Sequence, residues 1–253
     1  MELSRFQRQH LLDQGYVVIP GVVPRIMVDA ALKAINTSLG QGIDPVQVPT
    51  YRSRLFCPEL QGQPVATDLF NRTPARALVE SLVGEGNLKP VTGAQIALRF
   101  PIAGEPPAQF SCHLDGMYSP LNGVQEGTIS NFTMLAVVLL SDVPEPYMGN
   151  FTVWPGTHHQ FEAYFREHGP DALLHGMPPI DYPEPVQICG RAGDLVLTHY
   201  QLAHTAGPNA SPHVRYAAIY RCYHVEHGSC RKEAMTDVWL EWPAVRELIT
   251  EPA

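Results

Sequence analysis

The stretch "GDLVLTHYQLAHTAGPNASPHVRYAAIYR" (193–221) supplies a strand, then His204, then a Gly-Pro-Asn turn, then a second strand that begins with Arg215. In that second strand Arg215, Ala217 and Ile219 fall on one face and Val214, Tyr216, Ala218 and Tyr220 on the other, and both sets are largely apolar. A guanidinium among such neighbours is costly unless it meets an anion, and its planar fork suits a carboxylate. An acidic side chain or a dicarboxylate cosubstrate would serve equally. Arg221 shares the face and is the rival, but it should lie about 20 Å further along an extended strand, so Arg215 is preferred.

Working outward, "FSCHLDGMYS" (110–119) sets His113 and Asp115 either side of one leucine. If extended, the segment points both groups to one spot, roughly 6 to 7 Å apart along the chain. With His204 they form two histidines and one carboxylate on separate strands, the facial triad that binds non-haem Fe(II) and leaves three coordination positions open. His199 also sits near a strand end, but the turn and the arginine register follow from His204. His158, His159, His213, His224 and His227 read as loop or structural residues.

The same strand-like texture begins at about residue 91, with "TGAQIALRF", "AQFSCHLD", "SNFTMLAVVLLSDV", "NFTVWPG" and "EPVQICG". Short β-rich runs between Gly/Pro turns predict a mainly β fold, a double-stranded β-helix (jelly roll, cupin-like) with helices packed outside. Before it, about residues 1–90 read as helix, strand and helices. "TPARALVESLVG" is well bounded: Thr73 suits the N-cap, Pro74 the first turn and Gly84 a left-handed C-terminal position. "QFEAYFREHG" should be a helix after the "PGTHH" turn, and "DVWLEWPAVRELI" a closing turn and helix at about 236–250. The 24 prolines, about 9% of the chain against a usual roughly 5%, argue against long uninterrupted helices. With neither internal repeat nor Gly/Ser linker, 1–253 is read as a single domain.

Composition excludes several classes. The formal net charge is -8 and there is no Lys/Arg-rich run, which argues against a nucleic-acid partner. The longest apolar run, "MLAVVLL" (134–140), is too short to span a bilayer, and the N-terminus has no signal-peptide core, so a soluble, cytoplasmic protein is expected. Five scattered cysteines without a Cys-x-x-Cys indicate neither a disulfide framework nor a thiolate zinc site. The Asn-x-Ser/Thr sequences at Asn71, Asn131 and Asn150 read as turn and capping groups. No heptad run or exposed apolar helix face sets an oligomeric state.

The motifs together resemble the phytanoyl-CoA dioxygenase family of Fe(II)/2-oxoglutarate oxygenases. "HLD", then "HTAGPN", then "VRY" match its His-x-Asp, distal His and later Arg, "GNFTVWPGTHH" resembles its intervening Pro-Gly turn, and "HLLDQGYVVIPGVVP" resembles its opening helix and strand. The resemblance implies that His113, Asp115 and His204 ligate Fe(II) and that Arg215 pairs with the C5 carboxylate of 2-oxoglutarate. It implies dioxygen as second cosubstrate, and hydroxylation of an unactivated C–H with release of succinate and carbon dioxide. In related halogenases a small residue replaces the carboxylate ligand; Asp115 is present, which favours hydroxylation. Many members also carry a serine two residues after the distal histidine, where this chain has Ala206. Gln95, Asn131 and Thr133 are the candidate second donors, and Arg52, Arg54, Arg99 and Trp154 the candidate substrate-pocket residues. The substrate is expected to be a free small molecule, since an acidic chain without a basic patch suits CoA phosphates poorly. Two other functions compete: a cupin-like metal-binding or sensor domain without turnover, and a metal-dependent isomerase or lyase, which would leave Arg215 without a task.

Overall fold

The computed structural model describes residues 1–42, 46, 56–107, 109, 111–120 and 122–250. The first elements are α1 (Arg5–Gln14), β1 (Tyr16–Ile19), α2 (Arg25–Gly40), α3 (Pro64–Asn71) and α4 (Pro74–Val83). Their ends follow local chemistry. Ser4 and Gln7 form a reciprocal capping box at the start of α1, and Gly15 closes it at φ 80° with its N–H on the Leu11 carbonyl. Thr73 caps α4 through the Ala75 N–H, as expected. Gly84 takes φ 95° and ψ 142°, a glycine-favouring conformation outside the left-handed helical region expected for it. The sequence reading missed α3, whose Phe70 packs on Tyr220 with ring centroids 5.3 Å apart.

The β elements are β2 (Gln95–Arg99), β3 (Met134–Leu139), β4 (Phe151–Val153), β5 (Val186–Gln187), β6 (Leu195–His199), β7 (His204–Ala206) and β8 (Arg215–Cys222). They pair antiparallel as a five-stranded sheet, β1-β6-β3-β8-β2, and a three-stranded sheet, β5-β4-β7. The remaining helices are α5 (Thr157–His168), the short α6 (His227–Cys230) and α7 (Glu233–Thr236), and α8 (Pro243–Thr250). Antiparallel sheets with flanking helices make the cupin-like fold expected, and the sheets do not close into a barrel.

Strand β3 explains the layering. All six of its residues are buried, because the sheet is covered on both faces. Met134, Ala136 and Val138 join one apolar cluster with α1, α2, α3, α4 and α8, whereas Leu135, Val137 and Leu139 join a second with β4 and α5. The second face carries the site, and the first braces it. The expected strand "AQFSCHLD" is reduced, among the described residues, to one bridge at His113, because the chain turns at Asp115 and Gly116. Gly116 has φ 87°, and a Cβ there would meet the Ser130 carbonyl oxygen at 2.8 Å, so this turn can pass only as glycine.

Candidate metal centre and its cavity

His113 and His204 exchange two backbone hydrogen bonds, 3.0 Å from His113 N to His204 O and 3.1 Å in return. Paired in this way, their side chains leave the ladder together, with ring centroids 4.6 Å apart. Asp115 follows on the turn, its Oδ1 3.4 Å from His113 Nε2 and 3.9 Å from His204 Nε2. One ligand atom from each of the three lies within 4.8 Å of the others. Metal–ligand bonds of about 2.1 Å at right angles need about 3 Å between ligand atoms, so small rotations bring the set onto one ion. The donor set fits a divalent transition metal.

The nitrogens are prepared for that task. His204 Nδ1 lies 2.9 Å from the Leu202 carbonyl, which only accepts, so Nδ1 carries the proton and Nε2 presents a lone pair to the site. Burial, reinforced by the nearby His113, pushes the His204 imidazole down to about 4 and keeps it neutral. Burial alone would raise the Asp115 carboxyl, but the Arg221 guanidinium and the two imidazoles hold it well below the usual carboxylate range.

Arg221, expected on the same strand face as Arg215 and further along it, has a role the sequence reading did not assign. It donates from Nη2 to Asp115 Oδ2 at 2.8 Å and from Nη1 to Gln95 Oε1 at 3.0 Å. Its guanidinium also sits 5.6 Å from the Phe132 ring centre. The pairing engages one carboxylate oxygen and leaves Oδ1 turned to the histidines.

Arg215 enters the same cavity from β8. It is 4% exposed, donates from Nε to Gly149 O at 2.6 Å and from Nη1 to Ala97 O at 3.1 Å, and has no carboxylate partner among the described residues. Burial, with the charge of Arg99 adding to it, pushes its guanidinium down to about 9, so it stays charged at neutral pH. The cavity has a volume of about 870 Å³ and is lined by all three triad residues, by Gln95, Arg99, Arg215 and Arg221, and by apolar Leu135, Val137, Phe151 and Ile219. Lys89 stands on its rim, and Asp115 is its one carboxylate among the described residues. The expectation of no basic patch is therefore corrected here: the fold concentrates positive charge that the linear sequence disperses.

Other candidates fall elsewhere. Asn131 donates to the Arg231 carbonyl at 2.6 Å, and Thr133 Oγ1 accepts from His224 N at 2.8 Å, so neither lines the cavity. Both precede β3, where the alternation that would have aimed them inward has not begun. Trp154 has the opposite parity to the cavity-facing Phe151 and is buried in the second core, its backbone N–H on Ala203 O. Arg52 and Arg54 lie outside the described residues. His199 is bound at both ring nitrogens, 2.7 Å from Val238 O and 3.0 Å from Gln201 N, which removes it as a ligand. Asn150 takes the turn role expected of it through Met148 N and the Glu145 carbonyl, whereas Asn71 makes a long-range tie to the Val91 carbonyl. No helix among the described residues is long and apolar enough to cross a membrane.

No curated protein matches the chain in sequence. Solved structures of the same fold include HygX from Streptomyces hygroscopicus with nickel and 2-oxoglutarate bound, at TM-score 0.57 and 19% identity over 88% of each chain. EctD from S. alaskensis, with 2-oxoglutarate and 5-hydroxyectoine, aligns at TM-score 0.56 and 16% identity over 88% of this chain and 77% of its own. SnoK, a non-heme alpha ketoglutarate dependent carbocyclase from nogalamycin biosynthesis, aligns at TM-score 0.54 and 22% identity over 90% of each chain. The family model for phytanoyl-CoA dioxygenase (PhyH) matches residues 11–217, and the chain belongs to that family.

Proposed function

We propose that this chain is a non-haem Fe(II)- and 2-oxoglutarate-dependent dioxygenase that hydroxylates an unactivated C–H bond of a small organic molecule. The observation that carries the reading is the meeting in one cavity of a His-Asp-His donor set and a buried arginine without an acidic partner among the described residues. A metal-dependent isomerase or lyase that uses no 2-oxoglutarate gives that arginine no task, and a sensor without turnover is separated from the oxygenase by succinate formation. Nickel and 2-oxoglutarate in HygX, and 2-oxoglutarate in EctD, support the same assignment in this fold.

In this reading His113, Asp115 and His204 would hold the ion. Bound there, iron with 2-oxoglutarate and dioxygen would supply the oxidising power, with succinate and carbon dioxide as the co-products. Arg215 holds the C5 carboxylate, and its bonds to Gly149 and Ala97 fix the guanidinium before the cosubstrate arrives. Arg221 holds Asp115 through Oδ2, so that Oδ1 faces the ion. Leu135, Val137, Phe151 and Ile219 exclude water from the reacting centre. The cavity volume has room for cosubstrate and a small substrate together. SnoK, a carbocyclase, and SnoN, an epimerase, mark other outcomes found in this fold; the carboxylate of Asp115 supports hydroxylation over halogenation. Because β3 serves both apolar clusters, we read helices and sheets as one domain.

The test is release of succinate from 2-oxoglutarate under Fe(II) and air, with a panel of small molecules as stimulants. Wild type releases succinate and Asp115→Ala does not. Equal release by both would remove the reading.

A further inference from the structure

We infer that Arg99 is the second half of the cosubstrate clamp: Arg99 and Arg215 together hold the distal carboxylate of 2-oxoglutarate, Arg99 acting where many family members use the serine hydroxyl that this chain lacks. The inference rests on the oxygenase reading above and goes beyond it.

Arg99 and Arg215 are direct cross-strand partners on β2 and β8. Opposed side chains of an antiparallel pair leave the same face, and both of these line the cavity. Gly149 lies across the pair with φ 76°, where an added Cβ would stand 2.8 Å from Arg99 Cβ and 3.2 Å from Arg215 Cβ. The two stems are thus held side by side under one glycine.

Like charges directly opposed destabilise a strand pair. Among the described residues no side-chain hydrogen bond or carboxylate relieves Arg99, and burial lowers its guanidinium from the ordinary value. One anion between the two would remove the conflict. Arg215 cannot bind that anion through its Nε/Nη2 edge, since Nε is taken by Gly149 and Nη1 already donates to Ala97. A carboxylate has about four acceptor sites and needs a further donor. Ala206 offers only a methyl at the serine position, and Gln95 stands four residues from Arg99 along β2, opposite Ile219 and not Arg215, with its Oε1 on Arg221 Nη1. Arg99 has a whole fork free.

The experiment titrates 2-oxoglutarate into Ni(II)-loaded protein by calorimetry and repeats it with 2-oxobutyrate, which keeps the metal-chelating end and lacks the distal carboxylate. Loss of a buried charge-assisted hydrogen bond predicts that Arg99→Met weakens 2-oxoglutarate about 10- to 100-fold. It leaves 2-oxobutyrate and Ni(II) affinities unchanged, and adding Ala206→Ser restores part of the loss. Unchanged 2-oxoglutarate affinity in Arg99→Met would overturn the inference, as would equal weakening of both ligands or a loss produced instead by Thr205→Val. Failure of wild type to bind 2-oxoglutarate at all would strike the oxygenase reading itself.

Discussion

The chain gathers histidines in two places, and the two gatherings have opposite chemistry. In the cavity His113 and His204 meet the carboxylate of Asp115, and His204 keeps Nε2 free by engaging only Nδ1. In the first turn of α5, His158 and His159 both reach the Leu12 carbonyl, at 3.0 and 2.8 Å, and nearby His199 spans Val238 and Gln201. That second group packs on Trp239 and Trp242. A cluster of imidazoles is therefore not enough to make a metal site. What separates the two is a carboxylate and nitrogen lone pairs left pointing into space.

The largest expected effect breaks the comparison by exchanging losses. Asp115→Ala abolishes metal binding and succinate release while changing the melting temperature little. His199→Ala does the reverse, retaining metal affinity but losing about 2 to 3 kcal/mol of stability by cavity formation and an orphaned Val238 carbonyl. Metal titration and thermal melts on both variants check this, and metal loss in His199→Ala would merge the two sites into one.

Next in size is the Arg221 contact. Partners that orient a ligand carry about 10- to 100-fold of metal affinity, so Arg221→Met should weaken Co(II) binding by that factor. Competition with a chelating dye measures it.

The structural cluster contributes to the pH dependence of stability, in the same window as the buried His204. Burial holds His199 down to about 4, against about 6.5 for the unfolded chain, and moves His158 the same way. The unfolded state therefore binds the extra protons. The stability these residues contribute is full above about pH 6.5 and falls towards pH 4, at about 1.4 kcal/mol per unit for each group. Denaturant unfolding between pH 7 and 4.5 should show the slope, and His199→Gln should flatten it.

The smallest effect concerns Gly149. Alanine there must adopt φ 76° and push against both arginine stems, costing about 1 to 2 kcal/mol and loosening 2-oxoglutarate. A variant as stable and as tight as wild type would deny the glycine its role.

The donor set His113, Asp115 and His204 was legible from the order and spacing of its motifs, although the extended alternation assumed for His113 and Asp115 gives way to a turn, and Arg215 stood out as a cation on a largely apolar strand. The role of Arg221 was not legible, since its partner Asp115 arrives on a turn and not on the neighbouring strand. Asn131 and Thr133 were misread by carrying the parity of β3 back past Met134, where the ladder begins. The cationic cavity was hidden by a net charge of -8, because Lys89, Arg99, Arg215 and Arg221 are brought together only by sheet pairing and loops. Helix α3 escaped because eight residues give little periodicity, and its place is set by packing on Tyr220.

The most direct test is anaerobic addition of Fe(II) and then 2-oxoglutarate to wild type and to Arg215→Met, following the weak visible charge-transfer absorption of a chelated 2-oxo acid. We expect wild type to develop the absorption at low 2-oxoglutarate, and Arg215→Met to need at least about tenfold more. Absence of the absorption in folded, iron-loaded wild type would contradict the account, as would identical titrations of the two proteins.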